Sequence, residues 1–168
     1  MVNIHEPVFD EASDEPGFSH RRARLGEQAS CRNLGVSLWE LPPGQSTAFH
    51  YHVSTEEMMI VVRGKPTLRT GDGWRELREG ELVAFPHGVD GLHQLQNRTD
   101  EPVRALLFSE LAAPGVSVYP DSGQIGVWDA ARRSELRFGF LFDVADTVAE
   151  FGGGRAAAFP PPGEHSGP

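Results

Sequence analysis

The chain has 168 residues and a mass of 18.4 kDa, enough for one domain with a sizeable core and too short for two ordinary ones. Nineteen Gly and 13 Pro, against 23% charged residues, favour frequent turns over helices and point to an all-β plan. A formal charge of −9 repels phosphate backbones and anionic lipid, no run approaches the ~20 apolar residues of a membrane span, and one cysteine, Cys31, excludes an intrachain disulfide and a thiolate zinc cluster. The expected setting is the cytoplasm, with neither nucleic acid nor membrane as partner.

The first seventeen residues carry Glu6, Asp10, Glu11, Asp14 and Glu15, no Lys or Arg, and few large apolar side chains, which predicts a loose arm. Arg21, Arg22 and Arg24 follow and read as a solvated basic face that pairs with that acidic arm. From Asn33 to Glu110, short runs of Val, Leu, Ile and Phe alternate with Gly/Pro punctuation, predicting strands near 34–41, 46–52, 56–63, 66–70, 74–78, 81–85, 92–97 and 102–109. Pro42-Pro43-Gly44 ends the first, and Gly71-Asp72-Gly73 reads as a three-residue hairpin turn. So many strands in so short a segment hide their edges best by closing into a barrel or a two-sheet roll.

Past Glu110, Val116-Ser117-Val118-Tyr119 predicts a further strand, and Asp143 is placed to cap a short helix with Val144, Val148 and Phe151 on one face. The organisation expected is an N-terminal arm over 1–33, a β-barrel over 34–127, an extension with the short C-terminal helix over 128–151, and a disordered tail over 152–168.

Seven histidines are present, and His50 and His52 stand two apart in a predicted strand, so their imidazoles leave the same face. Glu57 has the wrong parity for one unbroken strand with them, so Val53-Ser54-Thr55 must bend before it can join. His93 brings a third imidazole from a second segment. Three imidazoles and a carboxylate suit one divalent transition metal, Fe(II), Mn(II), Ni(II), Cu(II) or Zn(II), rather than Ca(II) or Mg(II). Four protein ligands leave room on an octahedral ion for a chelating substrate.

The stretch Gly44-x5-His50-x-His52-x4-Glu57-x6-Gly64 resembles the first motif of the cupins, and Gly80-x5-Pro86-x-Gly88-x4-His93-x3-Asn97 resembles the second. One departure is visible: Val89-Asp90-Gly91-Leu92 puts four residues between the last glycine and the histidine, where the family has two. The resemblance covers residues 34 to 109. It implies an antiparallel jelly-roll β-barrel with one metal inside, held by His50, His52, Glu57 and His93, with His87 in the turn Pro86-His87-Gly88 as the rival to His93 and Glu56 as an alternative to Glu57. Asn97 reads as a turn-bonding residue.

With Glu57 inward, Met59 and Val61 share its face, and Phe85 and Val83 share one parity on the strand before Pro86. Met59, Val61, Phe85 and His87 are therefore the expected pocket residues, with Trp39, Phe49 and Phe108 as further wall candidates. The cavity is expected to be mostly apolar. Arg63 and Arg69 are the cations considered as clamps for a charged ligand. The function expected is that of a single-domain cupin acting on a small oxygen-bearing molecule, as a non-haem dioxygenase would. A metal-dependent lyase or isomerase and a non-catalytic binding module are the alternatives. A homodimer is expected, since a small barrel leaves an apolar outer face and an arm, 1 to 33 or 111 to 127, able to add to a neighbour's edge.

Overall fold

The computed structural model describes residues 1–129 and 136–146. Among these the chain forms β1 (Glu11–Ser13), β2 (His20–Ala23), the single-turn helix α1 (Leu25–Gln28), β3 (Leu34–Leu41), β4 (Tyr51–His52), β5 (Glu57–Arg63) and β6 (Thr67–Thr70). It continues through β7 (Gly73–Glu76), β8 (Leu82–Phe85), β9 (His93–Gln96), β10 (Val103–Glu110), β11 (Gly115–Tyr119), β12 (Gln124–Trp128) and β13 (Gly139–Asp143). All pairings between these strands are antiparallel.

Three sheets result, in the orders β1-β2-β3-β10-β5-β8, β7-β6-β9 and β13-β12-β11-β4. The six-stranded sheet is apolar on both faces. Its inner face presents Leu41, Met59, Val61, Phe85, Val103 and Ala105, packed against Leu68, Leu77 and Leu95. Its outer face presents Ala23, Leu38 and Leu106, covered by Leu25, Ile4 and Phe9. Phe9 is half-buried there, and its ring centroid lies 4.5 Å from the Arg21 guanidinium. These contacts hold the acid-rich N-terminal segment, where a loose arm was expected and Glu11–Ser13 instead pair with β2 as strand β1. Glu40, 5% exposed, locks the join, accepting hydrogen bonds from Arg21 and, at 2.7 Å, from Arg104. Burial alone would raise its pKa, but the two guanidiniums keep it below the ordinary value.

The strands predicted between 34 and 110 are present except for the stretch 46–52, and there the expected barrel fails to close. Ser46 and His50 make only isolated bridges, to Gln96 and His93, and regular pairing begins at Tyr51. Side chains take over part of the ladder: Leu95 N–H donates to Thr47 Oγ1, and Gln94 Nε2 donates to the Thr47 carbonyl. The sheets are joined at that end by Arg69, which lies 3.7 Å over the Phe49 ring and donates to Asp121 at 2.6 Å. The β6–β7 hairpin has two loop residues rather than three, because Gly73 already pairs with Thr70. Asp143 ends β13 rather than capping a helix. Of the C-terminal helix expected there, Val144–Asp146 form one 3-10 turn, while Val148, Phe151 and the tail from 152 lie outside the described residues. No helix among the described residues is long and apolar enough to cross a membrane.

Candidate metal centre

The site forms where β4, β5 and β9 meet. His50 bridges His93 through reciprocal backbone bonds of 3.0 and 2.9 Å, which sets their imidazoles side by side with ring centroids 4.6 Å apart. His52, two residues on, enters β4 opposite Ser117 of β11, and its ring meets His50 edge-on at 4.9 Å. The bend at Val53-Ser54-Thr55 corrects the parity, and Glu57 opens β5 facing the same point. The candidate donor atoms of His50, His52 and Glu57 all lie within 4.8 Å of one another. His93 Nε2 reaches the group through Glu57 Oε2 at 3.5 Å, and His52 Nε2 lies 3.3 Å from that same oxygen.

Each imidazole is fixed through its other nitrogen. His50 Nδ1 donates to the Ala48 carbonyl at 2.9 Å, and His93 Nδ1 donates to the Gly91 carbonyl at 2.8 Å. A carbonyl only accepts, so both rings carry their proton on Nδ1 and turn an Nε2 lone pair toward Glu57. His52 Nδ1 shares a 2.8 Å hydrogen bond with Ser117 Oγ. Phe85 lies flat against His93, with centroids 3.9 Å apart. The rings are thereby held before any ligand arrives.

The electrostatics fit a cation. Burial, reinforced by the neighbouring imidazoles, pushes the His50 pKa down to about 3. Burial likewise lowers that of His93. Burial pushes Glu57 up, but the close His52 imidazole, with those of His93 and His50 beside it, prevails and leaves it at about 2. The site at neutral pH therefore pairs neutral imidazoles at His50 and His93 with an ionised carboxylate, the protonation state of a ligand set. Glu57 Oε2 is buried without a hydrogen-bond partner, an arrangement that is costly unless something positive sits against it. By donor chemistry and by this orphaned oxygen, the residues present fit a divalent transition metal.

Other expected site residues divide. Met59, Val61 and Phe85 are buried on the inner face, at 1%, 1% and 4% exposure, and belong to its core. His87 and Glu56 are exposed. Phe108 packs on the outer face of the six-stranded sheet, away from the site, and Phe49 lies under Arg69. Arg63 is exposed, and Arg69 is spent on Asp121.

The four-residue departure before His93 is absorbed by a 3-10 turn, Val89–Gly91. Gly88, at φ 80° and ψ −169°, starts it and donates its N–H to the His52 carbonyl at 2.7 Å.

Three participants escaped the sequence reading. Ser117 falls in a predicted strand, where a hydroxyl between two valines at a buried position was the available signal. Tyr119 stacks on His50 at 5.7 Å and also lines a groove of about 800 Å³ with Phe18, Gln124, Trp128 and Phe140. Arg22 points inward from β2, opposite Trp39, and adds a charged group to an otherwise largely apolar inner face.

An antiparallel sheet fold that gathers His50, His52 and Glu57 at one place, with His93 against Glu57, defines a β protein with a candidate metal site. The family model described as a cupin domain matches residues 37–109, from within β3 to within β10, and that stretch is a small domain of the cupin type. Auxin-binding protein ABP19b of Prunus persica is 31% identical over 98 residues, which cover 51% of this chain and 43% of that protein. The match thus spans less than half the length of the curated relative. A sugar phosphate isomerase of the cupin superfamily from Silicibacter pomeroyi superposes with a TM-score of 0.72 at 25% identity, covering 85% of this chain and 92% of its own. The polyketide cyclase RemF of Streptomyces resistomycificus shares the fold, with a TM-score of 0.56, 22% identity, and coverage of 66% and 78%.

Proposed function

We propose that the chain binds one divalent transition metal through His50, His52, Glu57 and His93, and acts on a small oxygen-bearing molecule that reaches that metal. The observation that carries this reading is the buried, unpartnered Glu57 Oε2 lying 3.3 and 3.5 Å from two Nε2 atoms whose rings are anchored from behind. A bound ion of this class supplies Lewis-acid polarisation of a chelated oxygen, and with Fe(II) also a route to O2 chemistry. The chain's part is orientation and exclusion. The Ala48 and Gly91 carbonyls and Ser117 hold the imidazoles, Phe85 shields His93, and Tyr119 walls the site from the neighbouring groove.

Two reactions use such a site. A dioxygenase-like reaction requires Fe(II) and O2. Isomerisation requires only polarisation, and it is supported by the likeness to the Silicibacter pomeroyi sugar phosphate isomerase at 25% identity over most of both chains. Elemental analysis of protein purified without chelating resin tests the metal. About one equivalent is expected in the native chain and little in His50→Ala or Glu57→Ala, and equal content in all three removes the site. Anaerobic turnover with Mn(II) or Zn(II) then separates the isomerase from the dioxygenase, and full loading without turnover of any substrate returns the chain to the binding-module class.

A homodimer belongs to the same proposal. Its support is β13, an edge strand whose Phe140, Leu141 and Phe142 are 53%, 56% and 46% exposed. Light scattering on the native chain and on Leu141→Asp tests it: a dimer that dissociates with the substitution is expected, and a native monomer refutes it.

A further inference from the structure

The family match begins at Ser37. The N-terminal strands that precede it add Arg22, with Glu11 beside it, to the same interior. In the register of the six-stranded sheet, Glu11 stands opposite Arg22, Arg22 opposite Trp39, Trp39 opposite Ala105, and Ala105 opposite Val61, so all five face inward in one row. The next inward row contains Ser37, Leu107 and Met59, and the row after it Gly35, Ser109 and Glu57. Arg22 lies 4.9 Å over the Trp39 ring and sends both Nε and one terminal nitrogen, at 3.1 and 3.0 Å, to the single acceptor Ser37 Oγ. The guanidinium is thus drawn along the sheet toward Glu57, whose charge acts on it.

Ser37 and Glu57 are separated by two strand spacings, about 10 Å, and one inward-facing position, about 7 Å along the strand. That span suits a small molecule, with Ser109 and Leu107 as the floor between its ends.

Arg22 keeps donor capacity for such a molecule. Its fork has five N–H donors, and among the described residues its hydrogen bonds go only to one hydroxyl. The nearest carboxylate, Glu11, is 3.9 Å away, beyond hydrogen-bond distance, and is contacted by Arg24, which also takes Asp10 at 3.2 Å. With 31% of its side chain exposed, Arg22 is fixed by Trp39 and Ser37 yet still open to solvent. A planar fork so placed matches an oxyanion.

We propose that Arg22, seated on Trp39 and Ser37, binds the carboxylate or phosphate head of the small molecule whose other end faces the His50, His52, Glu57 and His93 cluster. This makes the ligand a small anion and deepens the reading above, on which it rests.

The test is calorimetric titration of malonate, inorganic phosphate and uncharged 1,3-propanediol into the chelator-treated and the Zn(II)-loaded protein, as native chain, R22Q and R22K, with zinc content measured alongside. At least one anion is expected to bind the native chain and the diol not at all. R22Q should weaken that anion about 10-fold or more at unchanged zinc content, and R22K by less, since charge is kept and the fork lost. Preference for malonate assigns a carboxylate head, and preference for phosphate a phosphoryl head. Native affinity in both variants, equal binding of the diol, or no anion binding by the native chain overturns the proposal. If R22Q does not fold, R22K decides alone: native affinity there overturns it. Zinc binding without an Arg22-dependent anion leaves the metal site standing and this inference refuted. An Arg22-dependent anion without zinc does the reverse.

Discussion

Ser117 Oγ lies 2.8 Å from His52 Nδ1, and Ser117 itself is 2% exposed. The serine comes from β11 and stands opposite His52 of β4 in the same sheet, so one cross-strand hydrogen bond sets the aim of that imidazole. Loss of such a partner to a ligating histidine costs about 10–100-fold in metal affinity. Ser117→Ala is therefore expected to weaken zinc binding by that factor in a competition titration with a chromophoric chelator, while circular dichroism stays native. Native affinity in the variant would assign the hydroxyl to packing alone.

The buried titratable groups fix how the metal-free chain responds to acid. His50 has its folded pKa lowered to about 3 from 6.5, and that of His93 is lowered too, so both bind protons more readily when unfolded. Their contribution to stability is complete above pH 6.5 and is lost as the pH falls toward the folded values. Glu57, lowered to about 2 from 4.5, adds a loss that begins near pH 4.5. Urea unfolding of chelator-treated protein should show constant stability from pH 8 to 7 and a decline below 6.5 of up to about 1.4 kcal/mol per pH unit for each group titrating. His50→Gln should flatten the limb between pH 6.5 and 4.5. A native profile with no slope there would mean that these imidazoles are not buried as described.

What could be read from the sequence follows the length and regularity of its patterns. β3, at Leu34–Leu41, and β10, at Val103–Glu110, are long, central and apolar, and their positions were plain. His50, His52 and Glu57 were legible because a two-residue spacing fixes a shared face. β1 and β2 were not, because Glu11-Ala12-Ser13 and His20-Arg21-Arg22-Ala23 hold their places by ion pairs and by lying over Phe9 and Trp39 rather than by apolar alternation. Arg22 was missed through that one omission: with β2 taken as part of an arm, it had no inward face to occupy. At the C-terminal end, Val144 beside Asp143 suggested a helix start, but Gly139–Asp143 extends as a partner of β12.

Asn97 shows polar burial without chemistry. It is fully buried, donates through Nδ2 to the Leu41 and Glu101 carbonyls at 2.9 and 2.8 Å, and accepts from Thr99 N–H and Oγ1 at 2.9 and 2.7 Å. Truncation strands several of these partners at once, each at about 1–3 kcal/mol when left unsatisfied. Asn97→Ala should lower unfolding free energy by about 3 kcal/mol in urea while the folded variant retains full metal content. Loss of metal at intact fold would place Asn97 in the site instead.

The turn before His93 is longer than the motif it resembles implies, and Gly91 is what makes the longer turn fit. A Cβ on Gly91 would overlap the Pro86 carbonyl oxygen and come within 2.9 Å of its carbonyl carbon, both backbone atoms with little freedom to retreat. The same residue's carbonyl accepts the His93 Nδ1 proton, so displacing the backbone also releases the imidazole. Gly91→Ala should therefore lower stability by about 1–3 kcal/mol and weaken metal binding in parallel. Val89→Ala in the same turn, 36% exposed, should leave both near native. If Gly91→Ala loses stability but binds metal with native affinity, the His93 ring is held by Phe85 rather than by the turn.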